Sequence, residues 1–212
     1  MTISEKQQQL NKIAEEIKAF KGLEIAKNST HAVPGEGDPN AQIMMVGEAP
    51  GQLENSTGRP FVGQSGQLMR KTLTETTGIT PEEVFITNIV KFRPPDNRDP
   101  TPDEIEVCRD WLDRQINIIQ PKIICTLGRF SMAKFIPDVS ISRVHGQPRF
   151  VEFLGQKYII FPMYHPAAAL RGTTVLNEFK QDFVKLKNML NPVSMPQNIP
   201  EEKPIITQPS LF

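Results

Sequence analysis

Apolar residues recur in this chain with two different periods, and the switches between them mark alternating helices and strands. From about Ser4 to Phe20, Leu10, Ile13, Ala14, Ile17 and Phe20 fall at helical spacing among Lys, Glu and Gln, which predicts an amphipathic helix packed on a domain. The segment Val33-Pro34-Gly35-Glu36-Gly37-Asp38-Pro39 is a loop by its Pro and Gly content. Ile43-Met44-Met45-Val46 is an unbroken apolar run ending at Gly47, the pattern of a buried strand, and Val84 to Thr87, Ile123 to Leu127 and Tyr158 to Phe161 are further strands. Between them, Ser65 to Thr76 reads as a helix after a Gly-rich connection. Thr101-Pro102-Asp103-Glu104 is a capping box with Pro at the first helical position, and Ile105, Cys108, Leu112, Ile116 and Ile119 run down one face behind it. Leu176, Phe179, Phe183, Leu186 and Leu190 mark a last helix. Strands alternating with helices predict an α/β fold, a three-layer α/β/α sandwich around a central, mainly parallel four-stranded sheet.

A length of 212 residues allows one domain with a real core. That domain is expected over 1–190. Beyond it, Pro192, Pro196, Pro200, Pro204 and Pro209 interrupt a stretch without apolar periodicity, so 191–212 is expected to be a flexible, Pro-rich tail. No apolar run approaches the roughly 20 residues that cross a bilayer, and MTISEKQQQL lacks a signal peptide's apolar stretch. The expectation is a soluble, cytoplasmic monomer with no membrane partner. Cys108 and Cys125 are too few for a disulfide framework and fit a reducing compartment. Lys and Arg total 24, as do Asp and Glu. Charge therefore gives no global sign of a polyanionic partner, and any nucleic-acid affinity must come from a local basic patch.

In open α/β sheets ligands bind beyond the carboxyl ends of the strands. The first strand here runs into Gly47-Glu48-Ala49-Pro50-Gly51, and the second into Asn88, followed by Lys91-Phe92-Arg93-Pro94-Pro95-Asp96-Asn97-Arg98. The third ends at Leu127-Gly128, and the fourth at Tyr164-His165-Pro166-Ala167-Ala168-Ala169-Leu170-Arg171. One crevice would thus collect a histidine, an asparagine, carboxylates and several basic groups. A nucleotide-binding protein of another kind would be expected to carry G-x-x-x-x-G-K-S/T or G-x-G-x-x-G, and neither occurs.

GEAPG, then Glu54, GRPFVGQSGQL, TNIVK-RPP-NR and HPAAALR, in this order, resemble the motifs of family-4 uracil-DNA glycosylases over about residues 33 to 190. The resemblance implies a glycosylase-like α/β fold, uracil-containing DNA as substrate, hydrolysis of the N-glycosidic bond in base excision repair, and no catalytic metal. An enzyme acting on a stacked base must extrude it into a pocket and read its edge. The implied uracil pocket comprises Gly47, Glu48, Ala49, Gly51, Phe61, Asn88 and His165. The Asn88 amide, with a donor and an acceptor, matches O4 and N3–H of uracil. Phe61 resembles the ring beneath the flipped base, with a core aromatic as the bland alternative. Gly51 stands where the best-known branch of the superfamily has a thymine-excluding tyrosine. His165 can donate to uracil O2, where negative charge gathers as the bond breaks.

Ala49 occupies the place of an aspartate found in the wider superfamily and cannot activate water. Glu48, Glu54 and Asn97 are the candidates for that task. Glu54 is followed by Asn55 where the family commonly has an acidic residue. Contacts to DNA are expected from Ser65, Lys91, Arg98, Leu170 and Arg171, with Leu170 as an apolar wedge; the alternative for Ser65 is a simple helix cap.

Family-4 members usually carry a four-iron four-sulfur cluster on four cysteines. Alignment on VPGEG and RPP puts Phe20, Leu23 and Phe92 at three of those positions and keeps only Cys108. Hydrocarbon side chains cannot ligate iron, so the cluster is expected to be lost and its place filled by packing. The alternative function is a non-catalytic or covalently trapping uracil-DNA binding protein. Against it stand the retained Asn88 and His165 and the lack of a long basic insertion between Ser142 and Val151. At the end of the chain, Gln208, Leu211 and Phe212 resemble the start of a sliding-clamp binding motif, with chance apolar residues in a frayed tail as the bland alternative.

Overall fold

A computed structural model describes residues 1–190 and 200–201. Its helices are α1 (Ile3–Ala19), α2 (Glu24–Asn28), α3 (Gln52–Thr57), α4 (Gln64–Thr77), α5 (Pro102–Ile119), α6 (Arg129–Ala133), α7 (Ile141–Val144), α8 (Pro166–Ala169) and α9 (Thr173–Leu190). The strands are β1 (Glu36–Gly37), β2 (Ile43–Gly47), β3 (Phe85–Asn88), β4 (Ile123–Leu127), β5 (Arg149–Phe153) and β6 (Gln156–Met163). Among the described residues the sheet has six strands, in the order β1-β3-β2-β4-β6-β5, rather than the four expected. The four expected strands form its parallel centre, and β1 and β5 add antiparallel edges. Neither edge announces itself in sequence. The first is two residues long within the Pro/Gly loop, and the second alternates buried and exposed positions only over Val151, Glu152 and Phe153.

The central strands are buried on both faces, which explains their unbroken apolar runs. Met44 and Val46 point into a core shared with α1, α2 and α5, whereas Ile43 and Met45 point into one shared with α4 and α9. The helices α1 and α5 pack together on one side, and α4, α8 and α9 on the other, completing three layers. Helix starts follow local chemistry: Thr2 with Glu5 and Thr101 with Glu104 form full capping boxes.

This order creates a crevice. The connection leaving β2 passes through α4 on one face, while that leaving β4 passes through α6 and α7 on the other. The two connections diverge, and a cleft opens beyond the carboxyl ends of these neighbouring strands. Of the proposed tail, Pro200 and Glu201 lie along β5: the Pro200 carbonyl accepts from the Phe150 amide at 2.9 Å and Glu201 pairs with Lys157 at 2.7 Å. The rest of 191–212, including Gln208, Leu211 and Phe212, lies outside the described residues.

Candidate active site

The cleft beyond β2, β3, β4 and β6 has a volume of about 520 Å³, within the range of about 300–1,000 Å³ usual for ligand pockets. Glu48, Ala49, Gly51, Glu54, Phe61, Ser65, Asn88, Asn97, Arg98, Gly128, His165 and Arg171 all line it, so the segments after all four central strands converge. Gly47 lies just beneath the lining. A Cβ there would come within 2.4 Å of both Asn88 Oδ1 and the Phe61 ring, so only glycine lets those two side chains meet at the end of β2.

Asn88 ends β3 and is 1 % exposed. Its Oδ1 has no hydrogen-bond partner among the described residues. Buried polar atoms are nearly always paired, so an orphan acceptor facing a cleft is poised for a donor brought by a ligand. Phe61 is buried beside it, its ring centroid 6.1 Å from that of His165. The backbone of Phe61 adopts φ 53°, a left-handed conformation that is strained for an aromatic residue.

His165 begins α8, and its Nδ1 accepts from the Ala167 amide at 3.2 Å. An accepting Nδ1 carries no proton, which puts the single proton of the neutral ring on Nε2. Burial, and after it the charge of Arg171, pushes His165 down to about 4. At neutral pH the residue is therefore an uncharged donor through Nε2–H, not an imidazolium.

The three candidate water-positioning groups differ sharply. Glu48 is half-buried on the cleft wall, and burial, followed by the nearby Asp99, raises its carboxyl above the ordinary range against the pull of Arg129. Glu54 is buried, and its Oε1 accepts from the amides of Val62 at 2.9 Å and Gly63 at 2.8 Å, which ties it to the loop that carries Phe61. Asn97 is exposed in a left-handed conformation, with its Oδ1 accepting from Arg93 Nε at 2.8 Å.

Among the expected DNA contacts, Lys91 is misplaced by sequence reasoning. It is fully buried, and its Nζ donates to Thr87 Oγ1 at 2.7 Å, the Asn88 carbonyl at 2.8 Å and Gln115 Oε1 at 2.9 Å. Such a lysine braces the end of β3 from within and cannot touch a phosphate. Ser65 lies inside the first turn of α4, whose N-cap is Gly63, so it is not a capping serine and instead faces the cleft. Arg98 reaches the cleft but spends its guanidinium on a two-point pair with Glu104 at 2.7 and 2.9 Å. Leu170 stands 50 % exposed directly after α8, and the exposed Arg171 beside it has no carboxylate partner among the described residues. Two further lining residues, Asp99 and Arg129, were not singled out from sequence. They pair with each other, and the guanidinium of Arg129 lies 3.9 Å over the Phe130 ring. The position of Arg129 directly after the strand-end Gly128 was the available signal.

Away from the cleft, Phe20, Phe92 and Trp111 form a ring cluster with centroids 5.9, 5.1 and 6.3 Å apart, with Leu23 packed on the same core. Cys108 is buried in that core and burial pushes its thiol up to about 11; Cys125 sits on β4, its thiol raised further. Among the described residues no group of three or more His, Cys, Asp or Glu is placed to hold a metal ion, and no helix is long and apolar enough to cross a membrane.

Residues 34–190 match the family model described as the uracil DNA glycosylase superfamily. The chain is 46% identical over 185 residues to a type-4 uracil-DNA glycosylase of Sulfurisphaera tokodaii, covering 85% of this chain and 84% of that protein. It is 43% identical over 183 residues to the type-4 enzyme of Archaeoglobus fulgidus, covering 84% and 91%. Against the type-4 enzyme of Thermotoga maritima it is 40% identical over 184 residues, covering 84% and 93%.

Proposed function

The chain belongs to the uracil-DNA glycosylase superfamily, on its type-4 branch, and from that premise we propose that it extrudes uracil from DNA and hydrolyses the N-glycosidic bond in the cleft described above. The observation that carries the assignment of the pocket is the orphan Oδ1 of Asn88, which would accept the N3–H of uracil while the amide NH₂ donates to O4. Phe61 would lie against the face of the base, and His165 Nε2–H would donate to O2.

As the bond between C1′ and N1 breaks, its electron pair leaves with uracil, and the charge that spreads onto O2 meets the His165 donor. A water oxygen bonds to C1′ and gives up its proton to the Glu48 carboxylate. All three candidates line the cleft, and Glu48 is favoured for this because the Glu54 carboxylate is engaged by the Phe61 loop and the Asn97 amide oxygen by Arg93. Leu170 would fill the space vacated in the stack, with Arg171 and Ser65 on phosphates.

The residues at the family's cluster positions, Phe20, Leu23, Phe92 and Cys108, do not fit a four-iron four-sulfur cluster: three are hydrocarbon and the fourth is a buried thiol with a raised pKa. No step here involves one. A covalently trapping or purely binding function is disfavoured by the names of the relatives and by a cleft that keeps both a polar reader and a neutral donor.

Incubation with a uracil-containing oligonucleotide in excess chelator should yield free uracil and an alkali-labile abasic site. Tight retention of intact uracil-DNA without release would overturn the hydrolytic reading. Tethering to a sliding clamp through Gln208, Leu211 and Phe212 is a separate proposal that rests on sequence spacing; deletion of 205–212 should abolish clamp pull-down and leave uracil release unchanged.

A further inference from the structure

The loop that presents Phe61 is gripped from both sides. Glu54 takes the amides that follow Phe61, and Arg70 on α4 takes the carbonyls around it: its Nε donates to the Phe61 carbonyl at 2.8 Å and its Nη2 to the Pro60 carbonyl at 2.8 Å. The same Nη2 donates at 2.6 Å to Glu36 Oε1, on the edge strand β1, and Glu36 also receives two bonds from Arg59 at 2.8 and 2.9 Å. Arg70 is 17% exposed at its side chain and is not part of the cleft lining. The first turn of α4 presses directly on the Phe61 backbone, since a Cβ on Gly66 would meet the Phe61 carbonyl carbon at 2.1 Å. A left-handed aromatic residue persists only where its surroundings over-determine it, and here four hydrogen bonds and a helix turn do so.

We propose that Arg70, oriented by Glu36, is a positioning residue of the glycosylase: by fixing the two carbonyls around Phe61 it holds the ring at the height and tilt at which it meets the extruded base. Arg70 touches neither substrate nor reacting atom, and it acts through Phe61. The planar fork of a guanidinium suits two carbonyls and a carboxylate at once, which a lysine's point charge cannot match. The role rests on the stacking of Phe61 proposed above, so the test separates the two.

Single-turnover uracil release would be measured for Phe61→Ala, Arg70→Met and the double variant, at a temperature well below each melting transition, together with affinity for undamaged DNA. Arg70→Met keeps the aliphatic stem and removes the donors. A misplaced group near the chemistry can cost about 10²-fold, and a loss of about 10-fold to 10²-fold is expected for Arg70→Met, with unchanged affinity for undamaged DNA. The double variant should be no slower than Phe61→Ala, because without a ring nothing remains to be positioned. Multiplied losses in the double variant, or full activity of folded Arg70→Met beside an impaired Phe61→Ala, would overturn the role of Arg70 alone. Normal release by Phe61→Ala would instead remove the stacking itself. Should Arg70→Met not fold, Glu36→Gln, which loosens the guanidinium from β1, should give a smaller loss with the same non-additivity toward Phe61→Ala; additivity there overturns the proposal equally.

Discussion

The cleft and the ring cluster around Phe92 lie in one domain but obey opposite rules. In the ring cluster Phe20, Phe92 and Trp111 meet tilted or edge to face, and the neighbouring helix α5 starts with a complete capping box. Around the cleft Phe61, Asp96 and Asn97 are left-handed, Asn88 Oδ1 is unpaired, the Glu48 carboxyl is raised and His165 is lowered. A chain tolerates such local costs where a ligand or a reaction repays them, and the ring cluster supplies part of the stability that permits it. Left-handed backbone and unpaired polar atoms also occur away from the cleft, at Gln120 and Tyr158 among others, so what sets the cleft apart is that several such costs gather around one cavity.

The sharpest way to break this contrast is Phe92→Ala. Removal of a fully buried ring should cost about 3–5 kcal/mol of folding stability, read by denaturant unfolding, while uracil release well below the melting temperature stays normal. Loss of activity in the folded variant would show that the two regions are coupled. The converse variant is His165→Ser, which should lower single-turnover release about 10²–10³-fold, or about 2.7–4 kcal/mol, with little change in stability. Because His165 is already neutral above about 4, the wild-type rate should show no break from this group through the neutral range. An acid limb should come from the raised Glu48 and vanish in Glu48→Gln.

Lys91 joins the two regions and gives the smallest effect. Burial pushes its ammonium from 10.5 down to about 7. Between those values the unfolded chain holds a proton that the folded chain has released, so this residue makes stability rise with pH from about 7 to about 10.5. Below about 7 both states are protonated and the burial penalty is present in full. Lys91→Met should abolish that slope and, in the alkaline range, cost about 1–3 kcal/mol, because the Asn88 carbonyl and Gln115 Oε1 lose their donor. Identical pH–stability curves for variant and wild type would refute the assignment.

The sequence by itself determined what short-range pattern encodes. Unbroken apolar runs fixed the four central strands, the Thr101–Glu104 box fixed the start of α5, and the ordered motifs placed Glu48, Asn88 and His165 at strand ends around one crevice. Tertiary structure decided the rest. A lysine flanked by a basic RPP segment looks like a phosphate contact until Gln115, on a helix 24 residues further on, encloses it. Nothing near Phe61 in sequence announces its left-handed backbone, which depends on Arg70 and Glu54 reaching it from two different helices. The edges β1 and β5 form only because β3 and β6 offer unpaired ladders. Periodicity and capping act over one or two turns, whereas burial, pKa and backbone strain are set by neighbours that meet only once the chain has folded.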